Sequence, residues 1–341
     1  MKIRHFAKSF RVVATSVALL LVACASVTQT ATITPVATAI PTTAIPTTLP
    51  ATATAFPLTL PYEEAVPLFD YDRTVPLDVK ETSVTDHDGI AVHDITFATH
   101  DPQYGFPIKG RTSAYLVTPP GTGPFAGVVF MHWLGSPNGN RDEFLDEAVA
   151  LAQKGAVSLL VEGVFPWYQP PSGYEKDKLQ VIKQVIELRR ALDVLLSQPE
   201  VDPQRIGFVG HDYGAMFGSV LAGVDQRIKA YVLMAGMGNF SDWSLRYWPA
   251  TGSKGVEAYR EAMATVDPIG YIQHAAPAAL LFQFSKNDAY ISTEAATQFY
   301  EAGSVPKLIL WYDSSHALNT DKDRGDRCVW LSSQLGLKDA Q

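Results

Sequence analysis

The stretch Arg205-Ile206-Gly207-Phe208-Val209-Gly210-His211-Asp212-Tyr213-Gly214-Ala215-Met216 decides the fold. It reads as a short buried strand, Ile206 to Val209, running directly into a helix, with Gly210 and Gly214 two positions to either side of Asp212. A side chain at the tip of so sharp a turn needs neighbours without bulk, because a Cβ at either flank would collide with the crossing backbone. Asp212 occupies that tip.

Working outward, short apolar runs rich in β-branched residues alternate with helical patterns. Strands are expected at 114–117, 126–131, 157–161, 206–209, 230–234, 278–284 and 308–312. Between the third and fourth, Val181, Val185, Leu188, Leu192 and Leu195 recur at steps of four and three, which predicts an amphipathic helix. Asp142 to Lys154 reads the same way and stops at Gly155, a residue suited to a helix C-terminus. This alternation implies an α/β domain: a mostly parallel, doubly wound sheet covered by helices on both faces. One interval, 237–274, breaks the rhythm with Trp243, Tyr247, Trp248, Tyr259 and Tyr271. An insertion after the carboxyl end of a strand sits above the crevice where such sheets bind ligands, so it reads as a small aromatic-rich lid. Tyr247, Trp248 and Tyr259 are its candidate pocket residues.

The elbow Gly210-His211-Asp212-Tyr213-Gly214 resembles the nucleophile elbow of the α/β-hydrolases, with aspartate where Gly-x-Ser-x-Gly has serine. Pro119-Pro120-Gly121 before the strand 127–131, followed by His132-Trp133-Leu134-Gly135, resembles the dienelactone-hydrolase branch. The resemblance implies an α/β-hydrolase fold over nearly the whole domain and a nucleophile, acid and histidine in that chain order. Asp288, in Ser285-Lys286-Asn287-Asp288, and His316, in Ser314-Ser315-His316, follow strand ends in that order. Asp212 is then the nucleophile, His316 the general base and Asp288 the carboxylate that orients it. Asp313, Asp242 and Glu162 are weaker candidates for the acid. The oxyanion hole implied by the fold uses backbone N–H groups, here those of Tyr213 and Trp133.

An aspartate changes the chemistry. Its attack on a carboxylic ester would give a high-energy mixed anhydride, whereas attack on a saturated carbon bearing a halide or epoxide oxygen gives a stable ester. Gly-His-Asp-aromatic-Gly resembles the elbow of haloalkane dehalogenases and epoxide hydrolases, which implies hydrolysis of an epoxide or carbon–halogen bond in a small apolar substrate. The chain lacks the His-Gly-x-Pro loop usual in those families. A carboxylesterase or lactonase of the dienelactone-hydrolase type, and an inactive hydrolase fold that binds a small ligand, are the alternatives. Gly236-x-Gly238 lacks the third glycine of a dinucleotide fingerprint and the histidines lack metal-ligand spacing, so neither cofactor nor metal is expected. His132 and His211 read as structural hydrogen-bonders.

Ahead of the domain, a basic start and an apolar run from Val12 to Val22 read as a signal peptide, too short to span a bilayer. Leu21-Val22-Ala23-Cys24 resembles the lipobox of bacterial lipoproteins, which implies cleavage after residue 23, acylation of Cys24 and an exported protein held at the cell envelope. Residues 24–61 are dominated by Thr, Ala and Pro without a charged residue, the composition of an extended stalk. A single domain, 62–341, follows. With Cys24 acylated no disulfide is available, and Cys328 reads as a buried thiol. The chain carries 27 basic and 35 acidic residues. Removing the leader's Lys2, Arg4, Lys8 and Arg11 leaves 23 basic residues and a net charge of −12. Such a surface repels phosphate backbones, so the expected partners are a small-molecule substrate and a membrane, and nucleic acid is excluded.

Overall fold

The computed structural model describes residues 60–105, 107–134, 139–164 and 173–338. The leader, Cys24 and the stalk up to residue 59 lie outside the described residues. Among these, nine strands form one sheet: β1 (Lys80–His87), β2 (Ile90–Ala98), β3 (Arg111–Thr118), β4 (Phe125–Met131), β5 (Ala156–Val161), β6 (Val201–His211), β7 (Ala230–Met234), β8 (Ala279–Ser285) and β9 (Lys307–Tyr312). Their spatial order is β1-β2-β3-β5-β4-β6-β7-β8-β9. Pairings among β1, β2, β3 and β5 are antiparallel, and every pairing from β5 to β9 is parallel. The parallel block therefore presents all its carboxyl ends along one edge, where ligand sites of such sheets are built.

All seven expected strands are present. β1 and β2 are additional. β1 is exposed along nearly its whole length, so no apolar alternation marks it, and β2 mixes His93 and Asp94 into its apolar positions.

The helices are α1 (Tyr62–Ala65), α2 (Leu145–Ala152), α3 (Tyr174–Leu196), α4 (Tyr213–Val224), α5 (Phe240–Tyr247), α6 (Val256–Ala264), α7 (Pro268–Ile272), α8 (Thr293–Ala302) and α9 (Asp321–Leu335). One face of the sheet is covered by α3, α4, α7 and α8, whose Val185, Leu188, Phe217, Ile272 and Phe299 are buried in one cluster. The other is covered by α2 and α9, through Ala148, Leu151, Leu331 and Leu335. Each side buries a stripe of one helix face against an apolar sheet surface, which is the main stabilising term of such layers. The helical pattern at 181–195 belongs to the longer α3, and that at 142–154 to α2, after which the chain turns at Gly155 with φ +91°. The lid interval folds as α5, a 3-10 turn (Pro249–Lys254), α6 and α7. Its last part is not lid. Tyr271 on α7 is fully buried, donates to the Thr265 carbonyl and packs edge-on against Phe69, and no room is left for a Cβ between it and Gly223 of α4.

Candidate active site

Asp212 lies between β6 and α4 with φ 54° and ψ −114°, a conformation a side chain enters only at some cost. The steric reason for the flanking glycines holds: a Cβ on Gly210 would meet the Gly214 carbonyl, and one on Gly214 the Met131 carbonyl. The turn lifts the Asp212 carboxyl to the carboxyl end of the sheet, where it is only 3% exposed. Its two oxygens have different surroundings. Oδ2 faces the Leu134 N–H at 3.4 Å, while Oδ1 is buried with no hydrogen-bond partner among the described residues. Burial pushes the Asp212 pKa up to about 6 against the lowering influence of the His316 imidazole and of the Leu134 and Tyr213 N–H groups.

His316, in the loop after β9, is 5% exposed and places Nδ1 2.8 Å from Oδ2 of Asp288, in the loop after β8. The other oxygen of Asp288 accepts the N–H groups of Tyr290 (2.7 Å) and Ile291 (3.0 Å). Burial works against the ionised form of Asp288, but the hydrogen bond and charge of His316 and these two amides hold its pKa below the ordinary value. A carboxylate can only accept here, so the proton of the pair sits on Nδ1 and Nε2 is left as an acceptor. Asp212, Asp288 and His316 thus come together at the ends of β6, β8 and β9. The weaker acid candidates are engaged elsewhere: Asp313 with Lys286, Asp242 with Arg260, and Glu162 with the Arg141 backbone.

Three expected site residues change place or role. Trp133 does not turn its backbone N–H to Asp212; it donates to Glu143 Oε2 at 2.9 Å, and the next residue, Leu134, supplies the amide that faces the carboxylate. Tyr259 is not a pocket residue: it is fully buried, and its hydroxyl donates to Asp177 on α3 at 3.0 Å. Trp248 packs against the core where α5 ends. Tyr247 does approach the site. Its ring lies 4.8 Å from Trp243 and 5.9 Å from Tyr290, and those two rings lie 6.4 and 4.8 Å from His316. Trp133 completes the aromatic wall at 5.7 Å from His316.

The residues that sequence reasoning missed are Leu134, Tyr290, Glu143 and the role of His211. Tyr290 follows Asp288 by two positions and could have been suspected. Glu143, one of four acidic residues between 142 and 147, carries no signal that singles it out. Its Oε1 lies 2.5 Å from His211 Nδ1, and His211 Nε2 lies 2.9 Å from the His316 carbonyl. His132 is bonded to the Trp133 carbonyl through Nδ1 (2.7 Å) and accepts the Gly163 N–H at Nε2 (2.9 Å), and burial lowers its pKa.

No protein-family profile matches the chain, and no curated protein matches it significantly. Solved structures do match. An acetyl xylan esterase from Paenibacillus sp. R4 superposes with TM-score 0.63 at 19% identity, covering 82% of this chain and 94% of that one. Acetyl xylan esterase 1 from Thermoanaerobacterium sp. JW/SL YS485 gives TM-score 0.60 at 14% identity, covering 80% and 93%. The 2,6-dihydroxy-pseudo-oxynicotine hydrolase gives 0.54 at 16%, covering 82% and 73%. Identities this low speak for architecture alone. Together with the strand order, the elbow and the loops that follow β6, β8 and β9, they establish that this chain has the α/β-hydrolase fold.

Proposed function

We propose that the protein is a hydrolase in which Asp212 is a covalent nucleophile, with His316 as general base and Asp288 as its orienting carboxylate. The observation that carries this reading is the asymmetry of the Asp212 carboxyl. Oδ2 faces the Leu134 N–H where an oxyanion would need it, and Oδ1 is buried without a hydrogen-bond partner among the described residues. In the first step Oδ1 attacks a saturated carbon of an epoxide or haloalkane, forming a C–O bond as the ring C–O or the carbon–halogen bond breaks; the halogen leaves as halide ion, and the opened epoxide oxygen takes a proton from water. In the second, His316 Nε2 takes a proton from water, the hydroxide oxygen adds to Cγ of Asp212, and negative charge collects on Oδ2 opposite the Leu134 and Tyr213 amides. Collapse breaks the bond from Cγ to the substrate oxygen; the alkoxide leaves with the proton held on His316 Nε2, and the carboxylic acid formed at Asp212 releases its proton to solvent, restoring the carboxylate. The attack needs ionised Asp212, so ester formation should rise with pH through about 6.

The test is mass spectrometry of the purified protein, wild type and His316→Gln, after exposure to styrene oxide, 1-bromobutane and p-nitrophenyl acetate. Loss of the base should leave a stable adduct on Asp212 with one of the first two. Turnover of the acetate that survives Asp212→Ala, without any adduct, would overturn the assignment. The likeness to two acetyl xylan esterases favours a second reading, an esterase, and the acetate arm is included for it. We further propose that the protein is exported and held at a bacterial cell envelope through an acylated Cys24. The mass of the mature N-terminal peptide, compared with that of Cys24→Ser, tests this.

A further inference from the structure

We propose that Glu143 and His211 form a proton-sharing strut that fixes the distance between the two loops from which this reaction is run; the inference rests on the roles proposed above for Asp212 and His316. His211 is fully buried, and its Nε2 lies 2.9 Å from the His316 carbonyl oxygen. A carbonyl only accepts, so Nε2 carries hydrogen. On the other side of the ring, Nδ1 and Glu143 Oε1 are 2.5 Å apart, closer than two bare acceptors tolerate, so a proton lies between them. Whether written as imidazolium and carboxylate or as imidazole and carboxylic acid, the pair is neutral and shares that proton. The second oxygen, Oε2, accepts the Trp133 N–H at 2.9 Å, and the Trp133 indole lies stacked on the His211 ring, 5.1 Å between centroids and 11° between planes.

The chain of contacts therefore runs from the Trp133 amide through Glu143 and His211 to the His316 carbonyl. Leu134, whose N–H faces Asp212 Oδ2, is the residue after one terminus, and His316 is the other. His132, bonded at both nitrogens, holds the Trp133 carbonyl from the opposite side. His316 is thus fixed at two points, its backbone by His211 and its Nδ1 by Asp288, which leaves one direction for Nε2. Glu143 and His211 are positioning residues; they act through His316 and Leu134 and touch no reacting atom. The two steps depend on them unequally. Alkylation of Asp212 needs only the carboxylate and the substrate, whereas water attack needs both the aim of Nε2 and the amide at Leu134. Loss of the strut should slow the second step and let the ester accumulate.

Three variants separate the possibilities. Glu143→Ala removes the strut. Glu143→Gln keeps it in neutral form, since an amide oxygen can accept from Trp133 and the amide NH2 can donate to an unprotonated Nδ1. His211→Phe keeps a ring against Trp133 and removes both polar bonds. Rapid-quench mass spectrometry with styrene oxide and 1-bromobutane should show Glu143→Ala and His211→Phe forming the Asp212 ester nearly as fast as wild type. They should hydrolyse it on the order of 100-fold more slowly, the cost of a misplaced catalytic group. Glu143→Gln should be close to wild type. Equal slowing of both steps, or a glutamine variant as impaired as the alanine one, would overturn the proposal. Histidine side-chain 15N spectra test the strut without any substrate. The wild type should give a far-downfield proton coupled to His211 Nδ1 that disappears in Glu143→Ala, and its absence from the wild type would refute the strut whatever the reaction proves to be. If that proton is present but no adduct forms on Asp212 in any variant, His316→Gln included, the nucleophile assignment fails and the strut stands.

Discussion

Replacing Asp212 by Asn should make the protein more stable at neutral pH. The carboxyl is pushed from an ordinary 3.8 to about 6 chiefly by burial, so the native state holds its proton across a window in which the unfolded chain has released it. For a group whose folded pKa is raised, stability is full below the unfolded value and falls as pH rises through the folded one. A displacement of roughly two pH units corresponds to about 3 kcal/mol. Asn has nearly the same shape, tolerates positive φ and keeps an acceptor for the Leu134 amide, so it removes the charge with little else. Urea unfolding of wild type and Asp212→Asn between pH 4 and 8 measures the difference, and other titrating groups largely cancel in it. The two proteins should coincide near pH 4 and diverge through pH 6, with the variant ahead by about 3 kcal/mol at pH 8. A constant gap, or none at pH 8, would refute the claim that an ionised, desolvated carboxylate is maintained here at the expense of stability.

Other consequences are as specific. In Asp288→Asn the amide oxygen stays on the Tyr290 and Ile291 N–H groups and the NH2 turns to His316, forcing hydrogen off Nδ1, and turnover should drop by roughly 10²- to 10⁴-fold with little change in fold, as measured by steady-state kinetics beside circular dichroism. Gly214→Ala drives a methyl into the Met131 carbonyl, and expression as soluble protein should be lost or stability lowered by about 4 kcal/mol or more in urea. Tyr259→Phe removes the hydroxyl that meets Asp177 and Ser244, so it should cost about 1 kcal/mol in urea while turnover stays at the wild-type level. A large effect on turnover would return Tyr259 to the pocket.

The parallel half of the sheet was legible because buried strands there read as unbroken apolar runs, and the elbow because only glycine satisfies its packing at 210 and 214. β1 was not legible, since an exposed edge strand with Lys80, Glu81 and Asp86 has no buried face to pattern. The triad could be named since each member follows a strand end in a fixed chain order. Which amide of the Trp133–Leu134 pair faces Asp212 could not. That choice turns on one peptide orientation after β4, set by a Glu143 contact ten residues away. Tyr259 was misjudged for a related reason: an aromatic in an insertion can face either the crevice or the helix beneath it, and here Asp177 on α3 provides a buried acceptor that draws the hydroxyl inward.

The aromatic wall also makes the protein its own optical instrument. Trp133 lies flat on His211 and within 5.7 Å of His316, and Trp243 lies 6.4 Å from His316. An excited indole gives up an electron to a neighbouring imidazolium far more readily than to a neutral imidazole, so emission from these two residues dims when His316 takes a proton at Nε2. The Trp133→Phe protein measures the emission of the other five tryptophans, Trp243 included, directly. The difference between the two emission curves is the emission of Trp133, and it reports proton transfer to His316 within a single turnover, without a label and without a chromogenic substrate.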